Sequence, residues 1–314
     1  MMKTNEMAIE VNGVTRRFKN ITAVDRLSFN VRKGEIFGLL GPNGAGKTTM
    51  INLILGLLAA NEGDIHVLGY DVASQTRQVY SHVGYVPQET NLYQDLTAEE
   101  NLWHHAALYC DDLKSVKGRM EDLLNFTNLW NRRKDAVRTY SGGMKRRLAL
   151  TRALLHDPEV IFFDEPTLGL DVQGRFALWE HIQQQREAGK TFVISTNNMV
   201  EADTLCDRLL IIDHGKLIIL DTPENLKSGI RADVVTLQTT PPITAPEDFF
   251  ANFAVQNISR PQPGELRFEM QNAEAQAAGL IGEVSKEHHL NSILIARPSL
   301  DDVFLYHTGR ALRE

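Results

Sequence analysis

Gly41-Pro-Asn-Gly-Ala-Gly-Lys-Thr-Thr49 places three glycines ahead of a lysine and two hydroxyls. Glycine reaches backbone conformations closed to other residues. Gly41, Gly44 and Gly46 therefore let the chain curl until successive N–H groups face one anion. Pro42, Asn43, Ala45 and Thr49 belong to the same loop. Lys47 is long enough to reach the outer phosphates of a nucleotide, and Thr48 offers a hydroxyl to Mg²⁺. The apolar run Ile36–Leu40 before the loop reads as a strand, while Met50, Ile51, Ile54 and Leu57 after it recur at helical spacing. A helix starting near Lys47 would aim its positive end at the same anion. Strand, loop and helix in this order are the setting in which Gly-x4-Gly-Lys-[Ser/Thr] binds nucleotide phosphates, so a nucleotide with Mg²⁺ is the expected ligand.

Val160-Ile-Phe-Phe-Asp-Glu-Pro166 is an apolar run ending in two carboxylates. Buried parallel strands look like this, and their C-terminal ends are where open α/β sheets meet ligands. Successive strand side chains point opposite ways, so the two acids are expected to have different tasks. Asp164 is expected to face Thr48 and help hold the metal through its water. Glu165 is expected beyond the last phosphate, polarising an attacking water. Alone, Asp-Glu-Pro would suit the end of a strand at a solvated turn. The loop around Lys47 is what gives it a chemical reading.

Tyr140-Ser-Gly-Gly-Met-Lys-Arg-Arg147 opens another helix. Ser141 is a good N-cap, and Gly142 and Gly143 leave room for a phosphate to approach free N–H groups. Met144, Leu148, Thr151 and Leu155 form a buried stripe, while Lys145, Arg146, Arg147 and Arg152 are expected to bring positive charge. A lone Ser-Gly-Gly is weak; as a second anion site beside the other two features it becomes specific.

Taken together, these residues resemble the ATP-binding cassette (ABC) ATPases over roughly Ile9 to Leu226. The Tyr-Ser-Gly-Gly-Met form of the signature is similar to that of drug-resistance-type exporter cassettes. The resemblance implies that Gln88, in Val86-Pro-Gln-Glu, contacts Mg²⁺ and the attacking water. It also implies that Leu168-Gly-Leu-Asp171 crosses to a partner subunit, bringing Asp171 to the nucleotide. Phe18 falls where an aromatic ring stacks on adenine, keeping the stacking face without the hydroxyl of the commoner Tyr. Standing alone, Gln88 and Phe18 would read as a loop amide and a core ring. Pro298-Ser-Leu-Asp-Asp-Val-Phe304 resembles the end of the same exporter cassettes.

One position departs from the family pattern. Phe192-Val-Ile-Ser-Thr-Asn-Asn198 carries Asn197 where the family has a switch histidine. An amide donates a hydrogen bond but cannot carry a proton or become charged. Either the cassette hydrolyses slowly and relies on Glu165, or Asn197 is a tolerated substitute.

The elements that must position these residues are readable in outline. Apolar runs at Ala8–Val11, Leu27–Val31, Ile36–Leu40, Val83–Val86, Val160–Phe163, Thr191–Ser195 and Leu209–Asp213 alternate with helical patterns, the sign of a mostly parallel sheet. The stretch 97–156 breaks that alternation and reads as a helical insertion, with Met120, Leu123, Leu124 and Leu129 at helical positions. Thr239–Pro246 is rich in Thr and Pro and reads as a rigid, exposed segment. Strands at Leu266–Met270 and Ser292–Ala296 flank an Ala-rich helix from Ala273 to Ser285. The expected fold is α/β: a P-loop ABC ATPase core over 1–230 with a helical insertion, a linker over 231–246, and a small α+β C-terminal domain over 247–314.

Composition narrows the function. With 33 Lys and Arg against 40 Asp and Glu, the net charge is −7, which argues against binding nucleic acid by bulk charge. The two cysteines, Cys110 and Cys206, match no metal spacing and suit a reducing compartment. No stretch is apolar enough for a membrane span, and Met1–Glu6 leads into no secretory h-region. His104-His105 and His288-His289 are adjacent pairs that do not share a helix face, and no His-Glu-x-x-His occurs. The resemblance implies an ATP-hydrolysing exporter subunit: a homodimer, or a pair with another cassette, closed by ATP, cytoplasmic, and held on the inner face of the membrane by a separate permease. The permease would dock over Glu89–Leu96. The alternatives are a soluble ABC ATPase acting on ribosomes or DNA, or a regulatory subunit with slow hydrolysis.

Overall fold

The computed structural model describes residues 7–110, 113–230, 232–250, 253–271 and 273–309. Met1–Glu6, on which the leader reading rests, lies outside them. The chain divides into two compact units that meet between Asp221 and Thr222.

The first unit is built on a six-stranded sheet. Its order is Lys216–Asp221, Arg208–Asp213, Ile36–Leu40, Thr191–Thr196, Val160–Asp164 and Val83–Val86. Five strands run parallel, and Lys216–Asp221 returns antiparallel on one edge. Ile36–Leu40, Val160–Asp164 and Thr191–Thr196 are buried at every position. Continuous rather than alternating apolar residues are what a strand covered on both faces requires. In register, Leu40 lies beside Thr196 and Asp164 beside Ser195. The loop after Leu40 and the acidic pair thus leave the same end of the sheet, one strand apart, where open α/β sheets bind ligands.

Ala8–Val11 and Leu27–Val31 do not belong to that sheet. They are parts of two 12-residue strands, Met7–Phe18 and Ile21–Arg32, in a separate antiparallel sheet completed by Glu62–Val67 and Tyr70–Asp71. Register shifts along both pairings bend these long strands. Glu62–Val67 opens with Glu-Gly-Asp, which hid it from an apolar-run reading.

The helical insertion is present as Ala98–Tyr109, Leu113–Phe126 and Gly142–Leu154. Thr97 starts it with a capping box: its hydroxyl accepts from Glu100 N, and the Glu100 carboxylate accepts from Thr97 N at 2.7 Å. Leu102, Ala106, Met120, Leu124, Leu129 and Leu148 form its core, although Leu129 lies past the helix end. Leu57 likewise falls outside the helix Lys47–Ile54 and is exposed.

The second unit holds a four-stranded antiparallel sheet ordered Val255–Ser259, Glu265–Met270, Asp233–Thr240, His289–Ala296. The helix Ala273–Glu287 shares its core through Leu280 and Val284, beside Val235, Leu237, Phe250 and Phe268. This corrects the expected boundaries: the cassette ends near 221 rather than 230, and 231–246 is no linker. Asp233–Thr240 pairs on both sides inside the sheet. Val234, Val235 and Leu237 bury there, and only after Thr240 do the prolines stop pairing. Pro298–Phe304 forms the start of the helix Leu300–Thr308. Ser299 caps it, and Asp302 accepts from Arg267 Nη2 at 2.7 Å.

Candidate nucleotide-binding site

Gly44 (φ +80°) and Gly46 (φ +108°) take left-handed backbone, and Gly46 caps the helix Lys47–Ile54. Gly41 does not; it is glycine for want of room. A Cβ there would stand 2.2 Å from the Ile212 carbonyl oxygen. Lys47 is buried and donates to the carbonyls of Gly41 (2.6 Å) and Pro42 (3.1 Å). Burial pushes its pKa down, and the charges of Glu165 and Asp164 oppose that. The loop lines a cleft of about 430 Å³ together with Gln88 and Glu165.

Two further walls were missed in the sequence: Ile21–Ala23 and the turn His214–Gly215. Gly215 N donates to Ala45 O at 2.9 Å, and Asp25 N donates to Gly215 O at 2.8 Å. A Cβ on Gly46 would meet Ala23 O at 2.4 Å. The glycine loop is thus wedged between a strand of the antiparallel sheet and a hairpin turn. The one signal available was His214-Gly215 itself, a turn dipeptide directly after an apolar strand.

Thr48 donates to Asp164 Oδ2 at 2.9 Å, as expected of residues facing each other. Ser195, fully buried, donates to the other Asp164 oxygen. Gln88 Nε2 donates to Glu165 Oε2 at 3.0 Å, so these two side chains meet at the cleft. Strand alternation does not separate the two carboxylates. The strand stops at Asp164, and Glu165 turns out of it in the left-handed region (φ +50°), a conformation costing about 1 kcal/mol for a non-glycine residue.

Phe18, Ser141, Gly142, Gly143, Asp171 and Asn197 are not among the residues lining this cleft. Phe18 ends its strand with one face covered by the Arg16 guanidinium, 4.5 Å from the ring centroid. Ser141 is exposed and accepts from Met144 N at 3.3 Å, leaving the glycine turn at the surface of the helical insertion. Asp171 caps the helix Val172–Glu187 by accepting from Gly174 N at 2.7 Å. Asn197 directly follows the strand Thr191–Thr196, half-buried, at the same end of the sheet as Leu40 and Asp164. Arg146 and Arg152 do not offer their charges to the Ser141 turn. Arg146 is buried, and Arg152 donates to the carbonyls of Asn91 and Thr90.

A family model described as ABC transporter matches residues 24–168. The linearmycin resistance ATP-binding protein LnrL of Bacillus subtilis is 37% identical, over 98% of this chain and 100% of that protein. The Nod factor export ATP-binding protein I of Burkholderia lata is 39% identical, over 98% of each. A solved ATP-binding subunit of an ABC transporter superposes with a TM-score of 0.67 at 30% identity, covering 71% of this chain and 92% of that one. A cassette solved as a dimer in a post-hydrolysis state with ADP and Pi gives 0.63 at 25% identity, over 68% of this chain and 98% of that one. Among the described residues no helix is long and apolar enough to cross a membrane. With relatives matched along almost their entire length, the chain belongs to the ABC transporter family, as an ATP-hydrolysing nucleotide-binding subunit.

Proposed function

We propose that the chain drives an exporter as a head-to-tail homodimer, each ATP held by the Lys47 loop of one copy and the Ser141–Gly143 turn of the other. The observation carrying this is that the exposed Ser141 turn lies off the cleft that Lys47 lines. One chain offers two half-sites, and a two-fold axis makes two whole ones. Export is supported by the names of the linearmycin and Nod factor relatives. The permease, a separate membrane subunit, would dock over Glu89–Leu96 and hold the dimer on the cytoplasmic face. No nucleic-acid partner is proposed.

Within each site, Glu165 polarises the attacking water, and its Gln88 contact fixes the carboxylate. Lys47 gives up the Gly41 and Pro42 carbonyls for the outer phosphates. Thr48, Asp164 and Gln88 present hard oxygen donors, a set that fits Mg²⁺. Bound there, Mg²⁺ neutralises charge on the transferring phosphate. Adenine stacks on Phe18 once Arg16 leaves that ring. Asp171, at the start of the helix Val172–Glu187, reaches across to the other copy's nucleotide.

Mixing two defective chains tests the composite site. Lys47→Ala and Ser141→Arg each give an inactive homodimer. An equal mixture forms mixed dimers with one intact site and recovers about a quarter of the native rate. No recovery from a mixture that does form mixed dimers overturns the arrangement.

Asn197 favours slow turnover. The Asn197→His chain, regaining a side chain that can carry a proton, should raise kcat about tenfold. A steady-state ATPase rate that is unchanged or lower makes Asn197 no handicap.

A further inference from the structure

Arg146 is heavily engaged beside the cleft, and its hydrogen bonds among the described residues all go to backbone carbonyls. It sits in the helix Gly142–Leu154, 7% exposed. A guanidinium has five N–H groups, and here five hydrogen bonds leave it. Nε donates to Pro166 O at 3.2 Å. Nη1 donates to Pro87 O and, at 3.1 Å, to Gln88 O. Nη2 donates to Asp164 O at 2.8 Å and Glu165 O at 2.9 Å. All five acceptors are backbone carbonyls, drawn from two segments far apart in sequence.

The arrangement is unusual for a strand end. Along an extended chain successive carbonyls alternate in direction, so three in a row cannot reach one cation. At 164–166 they do, and the left-handed backbone of Glu165 lies in the middle of the three. The same turn sets where the Glu165 carboxylate stands, and Pro87–Gln88 sets where the Gln88 amide stands. The two side chains meet at 3.0 Å.

We propose that Arg146 is a positioning residue for hydrolysis: its fork clamps the backbone of Gln88 to that of Glu165 and fixes the distance between their side chains. The role rests on the proposed part of Glu165 and Gln88 in activating water. It assigns Arg146 no contact with nucleotide. A lysine at this position carries the charge but only three donors from one point, and cannot span two segments.

The test is Arg146→Lys in the full-length chain, assayed for ATPase activity alone and with its membrane partner. Loss of attack geometry should lower kcat about 10- to 100-fold, while the KM for ATP and the affinity for a fluorescent ATP analogue stay within about threefold. A double-mutant cycle with Gln88→Ala identifies the route. If Arg146 works through Gln88, adding Arg146→Lys to Gln88→Ala lowers kcat by less than about twofold further. Unchanged kcat, an equal loss of ATP affinity, or full additivity overturns the proposal. Arg146→Gln is the second variant; if neither chain folds, Arg146 is framework only and the proposal falls. Recovery in the Lys47→Ala and Ser141→Arg mixture alongside native kcat in Arg146→Lys sinks this inference and leaves the composite site standing.

Discussion

The Glu165→Gln chain binds Mg-ATP and loses about three orders of magnitude in kcat, or about 4 kcal/mol of transition-state stabilisation. Gln occupies the same volume and can keep a hydrogen bond to Gln88, now 3.0 Å from Glu165. What it lacks is the negative charge that draws a proton from water. ATP binding should tighten slightly, since the cleft loses a charge that faces the phosphates. With hydrolysis stopped, the closed state accumulates: size-exclusion chromatography in Mg-ATP should give a dimer where the native chain gives mostly monomer. A kcat within about tenfold of native removes Glu165 from the chemistry. A monomer under saturating Mg-ATP removes the head-to-tail scheme as well.

The second large effect concerns stability and comes from Gly41→Ala. The new Cβ would fall 2.2 Å from Ile212 O and 3.1 Å from the Ala45 Cβ. Ile212 belongs to Arg208–Asp213, which pairs with Ile36–Leu40 up to Leu40 itself, so its oxygen cannot retreat without breaking that ladder. Either the two central strands part at this end or the glycine loop lifts away. Forced overpacking against backbone should cost about 3 kcal/mol, the upper part of the usual range, and lower Tm by about 6–12 °C. Because Lys47 donates to Gly41 O, ATP affinity should also fall by about tenfold or more. Gly44→Ala is the control. Its Cβ meets nothing within 4 Å, and the φ of +80° sets its cost at about 1 kcal/mol. Thermal unfolding of both chains without nucleotide checks this: a Gly41→Ala Tm equal to that of Gly44→Ala would mean the sheet gives way easily. The motif requires glycine at 41 and leaves 44 open, and the strand beside Gly41 supplies the reason: a Cβ there would have no room.

Much of the fold was legible wherever adjacent residues decide the outcome. Ile36–Leu40, Val83–Val86 and Val160–Phe163 are short, mainly apolar runs of the kind a strand covered on both faces needs. Ser141 caps the helix that follows it, as its residue type and the glycines after it led one to expect, because a cap reaches only two or three residues. Thr48 facing Asp164 was foreseen from residue types in a strand–loop–helix setting.

Elsewhere the same reasoning misled. Arg146 was expected to bring positive charge to the Ser141 site, although it is buried and spends its donors on distant carbonyls. Asp233–Thr240 falls wholly inside the expected linker, although it pairs on both sides. Ile21–Ala23 and His214–Gly215 line the cleft, although no run of adjacent residues marked them out.

By itself, then, the sequence determined the local chemistry: a glycine loop ending in Lys47 and Thr48, two acids closing a buried strand, and a capped Ser-Gly-Gly turn. Such features depend on backbone freedom and on hydrogen bonds a few residues long. Tertiary structure alone decided the strand order that sets Leu40 and Asp164 on either side of Thr191–Thr196. It also decided which carbonyls Arg146 gathers and which turn seals the glycine loop. The physical reason is that pairing partners are chosen by burying apolar surface over the whole chain, a sum no short window contains.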